Sequence, residues 1–213
     1  MADKYKNYEE LVANEPTGSF LITYKHYGLK DVIVLVPHGG GIEGGTSELG
    51  DDIRAYRDLS LYMFEGRKTS GNSDLHITST NFDAPFSRES VANHKKSISF
   101  HGYRGNDGEK HTLIGGTDRV GANLLCKYLI GEGFSASVVE PGGHLGGTDP
   151  ENIANQTITG LSVQVEISLA QRKAMFDNFS LIGRESSKNS EYRNYLDAVL
   201  GFMVEYEESA KNV

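Results

Sequence analysis

Strand-like apolar runs, several of them short and continuous, alternate along the chain with segments whose apolar residues recur at helical spacing. The strand-like runs are Ser19–Tyr24, Val32–Val36, Ser60–Phe64, Leu75–Thr80, Ser97–Phe100, Thr112–Ile114, Ser135–Val139 and Leu161–Ile167. The helical patterns cover Thr117–Ile130, Ser168–Phe179 and Glu191–Glu208. Runs that are apolar throughout are typical of strands covered on both faces, as in parallel sheets. The pattern predicts an α/β fold in which helices cover both faces of a mixed, mostly parallel central sheet.

Composition narrows the class of protein. The 213 residues contain no linker-like stretch or internal repeat, so we expect a single domain over residues 1–213. The formal net charge of −8 argues against a nucleic-acid partner, because proteins that bind nucleic acids have a basic surface. The single cysteine, Cys126, excludes an internal disulfide. The polar N-terminus has no apolar signal region and no run has transmembrane length, which predicts a cytoplasmic protein without a membrane partner. We also expect a monomer.

A glycine-rich loop, PHGGGIEGGTSE, directly follows the apolar run Val32–Val36. Gly39, Gly41 and Gly44 fit the GxGxxG pattern of dinucleotide-binding loops, so a nucleotide site is one alternative. Against it, Glu43 would place a carboxylate where the loop should attract pyrophosphate. The extra glycines also delay the helix whose N-terminus should face the phosphates.

A metal site is the second interpretation of this loop. His38 follows one strand-like run, Glu43 comes five residues later, and His101 in SFHGYRG follows another run. Imidazole and carboxylate groups bind zinc, and a catalytic zinc usually takes three protein ligands. Glu166 lies among apolar residues near the end of the last strand-like run, where a carboxylate either is paired, for example with Arg172, or accepts a proton.

Several motifs together resemble those of the poly-γ-glutamate hydrolase family, and they run in order from about residue 35 to residue 172. They are PHGGGIE with GTSE, SGNSDLHITSTNFDAP, SFHGYRG, TDPENI and VQVEISLAQR. The family includes a bacteriophage enzyme that degrades the γ-linked glutamate capsule of Bacillus hosts. A phage-encoded member would be released by lysis of the host cell. This chain departs from the family pattern at Ala84 and at Gln156.

The resemblance implies a zinc-dependent peptidase fold similar to that of the carboxypeptidases, with one Zn²⁺ ion. It also implies endo-type cleavage of γ-glutamyl amide bonds in poly-γ-glutamate. In this interpretation His38, Glu43 and His101 bind the zinc, a zinc-bound water is the nucleophile, and Glu166 is the general base.

The substrate places further demands on the site, because poly-γ-glutamate carries one free carboxylate per residue. Cations and hydrogen-bond donors are therefore expected along its groove. The candidate substrate-binding residues are Arg104, Arg172, Tyr103, His76 and Asn81. Two alternatives remain: a zinc amidohydrolase of the same fold that acts on small acylated amino acids or peptides, and a non-enzymatic protein that binds an acidic polymer.

Overall fold

Seven strands form one mixed sheet in a computed structural model that describes residues 3–27 and 31–213. The order across the sheet is β1-β3-β2-β4-β7-β5-β6. The strands are β1 Phe20–Lys25, β2 Val32–Gly40, β3 Ser60–Gly66, β4 Lys96–Tyr103, β5 Thr112–Gly115, β6 Ala136–Val138 and β7 Leu161–Ser168. β1–β3 and β5–β7 are antiparallel, and the other four neighbouring pairs are parallel. The predicted mixed, mostly parallel sheet is confirmed.

Helices lie on both faces of this sheet, as predicted. They are α1 Tyr8–Asn14, α2 Thr46–Arg57, α3 Ser87–Ala92, α4 Arg119–Gly131, α5 Leu169–Ala174 and α6 Ser190–Ala210. Two single 3-10 turns cover Asn72–Leu75 and Ile153–Asn155. One core packs α2, α4 and α6 against the sheet, and a second core on the other face includes residues of α1, α3 and both 3-10 turns. No helix in the described part of the chain is long and apolar enough to span a bilayer.

The segment Leu75–Thr80 is not a strand, so that prediction is wrong. Leu75 ends a 3-10 turn, and both Leu75 and Ile77 are buried in the second core. The segment carries apolar residues because they are buried, but its backbone groups form hydrogen bonds with side chains and not with a neighbouring strand. The carbonyl of Ile77 accepts from His38, and the N–H of Thr78 donates to Asp3.

One predicted helix is shorter in the structure, and another helix was not predicted. The helix predicted to run from Ser168 to Phe179 ends at Ala174, and Phe176 then pairs with Lys188 in an isolated antiparallel bridge. Helix α2 was not among the predicted helices. It begins after Gly45, whose left-handed backbone (φ +101°) separates it from the glycine-rich loop.

Strands β4 and β7 are apolar on one face and polar on the other. Their residues Ile98, Phe100, Val163 and Val165 belong to the first core. The alternate positions on the opposite face carry the buried polar residues Ser99, His101, Gln164 and Glu166. Since side chains alternate across a strand, this arrangement collects polar groups on the second face, near the carboxyl ends of β4 and β7.

Candidate active site

His38 lies at an irregular point of β2. Between Val36 and Gly39, β2 has one residue more than the facing stretch of β3, so the register shifts. Pro37 lacks the N–H that a regular ladder needs, and bulges of this kind redirect side chains. The buried imidazole of His38 donates from Nε2 to the carbonyl of Ile77 at 2.8 Å. Because a carbonyl only accepts, Nδ1 of His38 presents its lone pair.

Glu43 is brought beside His38 by the glycine-rich loop. The N–H of Glu43 donates to the carbonyl of His38 at 2.9 Å, which closes the loop. Gly40 has a φ of +64°, and a Cβ there would lie 2.4 Å from the carbonyl oxygen of Gly66. Oε2 of Glu43 accepts from the N–H of Gly102 at 2.9 Å. The glycines therefore allow the His38 and Glu43 side chains to converge.

The imidazole of His101 completes a group of three. Its Nδ1 lies 3.1 Å from Nδ1 of His38 and 3.8 Å from Oε2 of Glu43, and the remaining His38–Glu43 separation is 3.5 Å. Tetrahedral zinc with bonds of about 2.0–2.1 Å places neighbouring ligand atoms about 3.3 Å apart. The buried Nε2 of His101 has no hydrogen-bond partner among residues 3–27 and 31–213. Nδ1 of His38, Nδ1 of His101 and Oε2 of Glu43 have the chemistry and the spacing of a zinc site, and the unpartnered Nε2 of His101 is not one of these three atoms.

His76 also lies against this group. Its ring stacks on His38 with centroids 4.0 Å apart, and its Nδ1 donates to the carboxylate of Asp3 at 2.6 Å. Nε2 then carries the lone pair, 3.9 Å from Oε1 of Glu43. Ligand atoms of His38, Glu43 and His76 all lie within 4.8 Å of one another, so His76 is an alternative third ligand. With 33% of its side chain exposed, however, His76 lies nearer the surface than His101.

The charge states of Glu43 and His101 suit a cation, whereas His38 must lose a proton when a metal binds, because the Glu43 carboxylate raises the pKa of His38 against the effect of burial. Burial lowers the pKa of His101 to about 3, and the neighbouring His38 adds to this effect. The charge of His38 and burial lower the pKa of His76. Burial opposes ionisation of Glu43, but the imidazoles around it, His38 first, lower its pKa to about 2. Neutral imidazole and ionised carboxylate are the forms that bind metal.

Glu166 lies opposite His101 across the β4–β7 pair. Its carboxylate is buried and accepts from Nε2 of Gln164 at 2.9 Å. Burial, and then the negative charge of Glu43, raise the pKa of Glu166 well above its ordinary value. A raised pKa brings a carboxyl group closer to the range in which it exchanges protons at neutral pH.

Arg172, a predicted substrate-binding residue, also holds the backbone around the site. Its buried guanidinium donates to the backbone carbonyls of Ile167 at 3.0 Å, Gly44 at 2.9 Å and Tyr103 at 3.3 Å. Gly44 follows Glu43, Ile167 follows Glu166, and Tyr103 lies two residues beyond His101. These contacts give Arg172 a bracing role, although it also borders the cleft described next.

Two clefts meet at Glu43. One, of about 490 Å³, lies on the side of Lys68, Phe179 and Leu181. The other, of about 620 Å³, lies on the side of Asp3, His76 and His144. Both are lined by Ile42, Glu43, Gly102, Tyr103 and Arg104. The predicted residues Tyr103 and Arg104 therefore lie where the clefts join.

Asn81 is not brought to either cleft. It lies in an exposed turn, where its N–H donates to the carbonyl of Thr78. Conversely, the sequence carries no local signal for Asp3 or for the loop that bears Phe179 and Leu181. Asp3 reaches His76 across 73 residues of sequence, so only the packing of the N-terminal segment shows its place.

Comparison with known proteins decides the family. Residues 5–198 match the family described as poly-gamma-glutamate hydrolase. The chain belongs to this family. The SPbeta prophage-derived protein YoqZ of Bacillus subtilis is 45% identical over 204 residues, which cover 96% of this chain and 73% of YoqZ. Membership supports a hydrolase that acts on poly-γ-glutamate.

Solved structures agree with this assignment. A bacteriophage poly-gamma-glutamate hydrolase has a TM-score of 0.90 and 38% identity, covering 96% of this chain and 98% of that protein. The zinc-free apo structure of YndL has the same TM-score at 41% identity, covering 95% of this chain and 98% of that protein. An N-formylglutamate amidohydrolase from Ralstonia eutropha, with a TM-score of 0.50 and 11% identity, shares the fold.

Neither departure from the family pattern belongs to the metal group or lines the two clefts. Ala84 is buried in the second core. Gln156 caps the second 3-10 turn, and its side chain donates to the carbonyl of Glu151 at 3.2 Å. The structure also disfavours the dinucleotide alternative. Thr46 at the start of α2 is buried, and its N–H donates to the carbonyl of Glu43, so this N-terminus is not open to a phosphate.

Proposed function

We propose that this protein is a zinc-dependent hydrolase that cleaves γ-glutamyl amide bonds within poly-γ-glutamate. His38, Glu43 and His101 would hold the zinc, and Glu166 would act as general base. The observation that carries the proposal is the convergence of two imidazole nitrogens and a carboxylate oxygen at 3.1–3.8 Å, with a second buried carboxylate on the adjacent strand. A zinc ion at such a site supplies a Lewis acid that polarises the amide carbonyl and water.

Zinc is supported by the donor set and by a relative. The hydrogen bond from His38 to the Ile77 carbonyl is of the kind that orients metal-binding imidazoles. The existence of a zinc-free apo structure of YndL, 41% identical to this chain, points to the same ion. We propose His101 as the third ligand because its Nδ1 lies 3.1 Å from Nδ1 of His38 and its side chain is 4% exposed, against 33% for His76.

Glu166 would move the proton in this reaction. It accepts a proton from the attacking water and passes it to the nitrogen of the leaving amine, so that the amine departs neutral. Burial favours this role, because a carboxylate out of water holds a proton more readily. Its position opposite His101 places it beside the proposed metal group.

The groove supports cleavage within a chain. Clefts extend to both sides of Glu43, so a polymer has room on either side of the cleaved bond. Arg104 lies at their junction and makes no side-chain hydrogen bond or ion pair with any residue in ranges 3–27 and 31–213. By contrast, the Lys68 ammonium is paired with Glu15 at 3.0 Å. We assign Arg104 as a contact for a free carboxylate of the polymer.

The test is incubation with poly-γ-glutamate, with and without a chelator, followed by measurement of product size. We expect average chain length to fall early, without accumulation of monomer, and only in the absence of the chelator. Glu166→Gln should retain zinc and lower turnover by about 10²–10⁴-fold. Glu132→Gln, the same change at an exposed position, should behave as the native protein.

Other outcomes would assign the chain differently. Early release of monomers would contradict endo-type cleavage. Activity confined to short acylated amino acids would indicate a small-substrate amidohydrolase. Native turnover in Glu166→Gln would remove Glu166 from the mechanism, and binding without any cleavage would indicate a polymer-binding protein.

The ligand set is tested separately by zinc content after dialysis. His101→Ala should lose the bound ion, whereas His76→Ala should retain it. The reverse result would make His76 the third ligand. This measurement needs no substrate, so it does not depend on the identity of the polymer.

A further inference from the structure

We propose that Asn152 and Gln164 are positioning residues that determine which oxygen of Glu166 takes up the proton. The inference rests on the proposed role of Glu166 as general base. It concerns two buried amides that neither the sequence pattern nor the family resemblance assigns to the site.

The three side chains form a hydrogen-bonded relay. The N–H of Ala154 donates to Oδ1 of Asn152 at 3.0 Å. Nδ2 of Asn152 donates to Oε1 of Gln164 at 2.9 Å, and Nε2 of Gln164 donates to Oε1 of Glu166 at 2.9 Å. Asn152, Gln164 and Glu166 are each at most 5% exposed, so water does not substitute freely for these partners.

A backbone amide sets the direction of this relay. The oxygen and nitrogen of a side-chain amide have nearly the same shape, so their orientation is decided by the partners. The N–H of Ala154 can only donate, which turns Oδ1 of Asn152 towards it and Nδ2 towards Gln164. Gln164 must then turn its oxygen to Asn152 and its nitrogen to Glu166.

The packing around Gln164 agrees with this orientation. Its Nε2 also faces the carbonyl oxygen of Leu145 at 3.5 Å, a second acceptor on the nitrogen side. A Cβ at Gly147 would lie 2.4 Å from Oε1 of Gln164, so the loop lies directly on the amide. Gly147 and Leu145 both have left-handed backbone, with φ of +63°, at this close approach. The amide is therefore enclosed, with little room to reorient.

The consequence concerns the two oxygens of Glu166. Oε1 of Glu166 accepts a hydrogen bond from the side-chain amide of Gln164. This amide cannot rotate away, because its oxygen accepts a hydrogen bond from Asn152. Among residues 3–27 and 31–213, the structure shows no donor to Oε2. Oε2 is thus the oxygen that accepts the proton from water, and the relay keeps it turned away from Gln164. If the relay ran the other way, an amide oxygen would face the carboxylate and turn it aside.

The test changes the relay without removing Glu166. Asn152→Asp and Asn152→Thr both keep an oxygen for the Ala154 N–H and remove Nδ2, the group that donates to Gln164. The Thr variant adds no charge, and its single hydroxyl replaces both ends of the amide. Gln164→Met removes the donor to Glu166 at similar size. We expect all three to keep zinc and to lower kcat by about ten- to a hundredfold, with KM within about twofold, as misplacement of a catalytic group does. Asn7→Asp is the matched control, because Asn7 caps α1 through the same kind of bond outside the relay.

A spectroscopic measurement separates positioning from general structure. The side-chain amide resonance of Gln164, assigned by its loss in Gln164→Met, should shift in Glu166→Ala and in both Asn152 variants. An unshifted resonance, or native kcat in Gln164→Met and both Asn152 variants, overturns the inference. If Glu166→Gln is inactive while the relay variants are fully active, only this inference fails. If Glu166→Gln is active, the proposed function of Glu166 itself fails.

Discussion

Arg172 offers the sharpest test of how this site is held together. Its guanidinium donates to three carbonyls in three separate chain segments, each next to a proposed site residue. Arg172→Met keeps most of the aliphatic stem and removes all three bonds and the charge. The change therefore distinguishes a brace from a substrate contact, which is the role that the sequence predicts.

The size of the effect follows from those contacts. Two of the three bonds, to Ile167 and Gly44, are 3.0 Å or shorter, and the bond to Tyr103 is longer at 3.3 Å. A hydrogen bond from a charged donor contributes about 1.5–3 kcal/mol, so the two short bonds alone contribute roughly 3–6 kcal/mol to the free energy of unfolding. For a chain of this length, such a loss lowers Tm by roughly 6–24 °C.

The assay is thermal unfolding of the native protein, Arg172→Met and Lys173→Met, together with kcat and KM on poly-γ-glutamate. Lys173 is the next residue on α5 and is exposed, so its substitution should change stability by less than about 0.5 kcal/mol. We expect Arg172→Met to lower Tm and also zinc affinity, because the Glu43 loop loses its support. A native Tm with a raised KM would refute the reasoning and make Arg172 a substrate-binding residue.

Three further predictions concern packing, charge and metal. Gly102→Ala should destabilise the protein by about 1–3 kcal/mol in urea unfolding, because the added Cβ would lie 2.4 Å from Cζ of Arg172. Gly131→Ala is the control and should not destabilise the protein, because no atom lies within 4 Å of the Cβ added there. Lys96→Met should lower the free energy of unfolding by about 3–5 kcal/mol, because it leaves the buried Asp118 carboxylate without the Lys96 ammonium, which lies 2.7 Å away. The double variant Lys96→Met/Asp118→Asn should recover most of that loss. Free zinc at a hundred times its dissociation constant should stabilise the apo protein by about 2.7 kcal/mol, seen as a higher Tm that a chelator reverses.

Periodicity in the sequence determined much of the fold. In SISFH and LSVQVEIS, apolar and polar residues alternate, and the structure shows the corresponding two faces. Because side chains alternate along any strand, this pattern places His101 and Glu166 each on the polar face of its own strand, and the pairing of β4 with β7 then puts the two side chains on one face of the sheet. The glycine-rich PHGGGIE segment likewise brings His38 and Glu43 together locally.

Other features were decided only by the tertiary structure. His76 donates to Asp3, and Asn152 donates to Gln164, because distant segments of the chain pack over the second face of the sheet. Arg172 follows Glu166 by six residues, yet its guanidinium donates to carbonyls from three segments. Local periodicity encodes the face on which a residue lies. The packing of the whole chain determines which distant group forms hydrogen bonds with that residue. These partners in turn determine whether the residue braces the backbone, binds the metal or contacts the substrate.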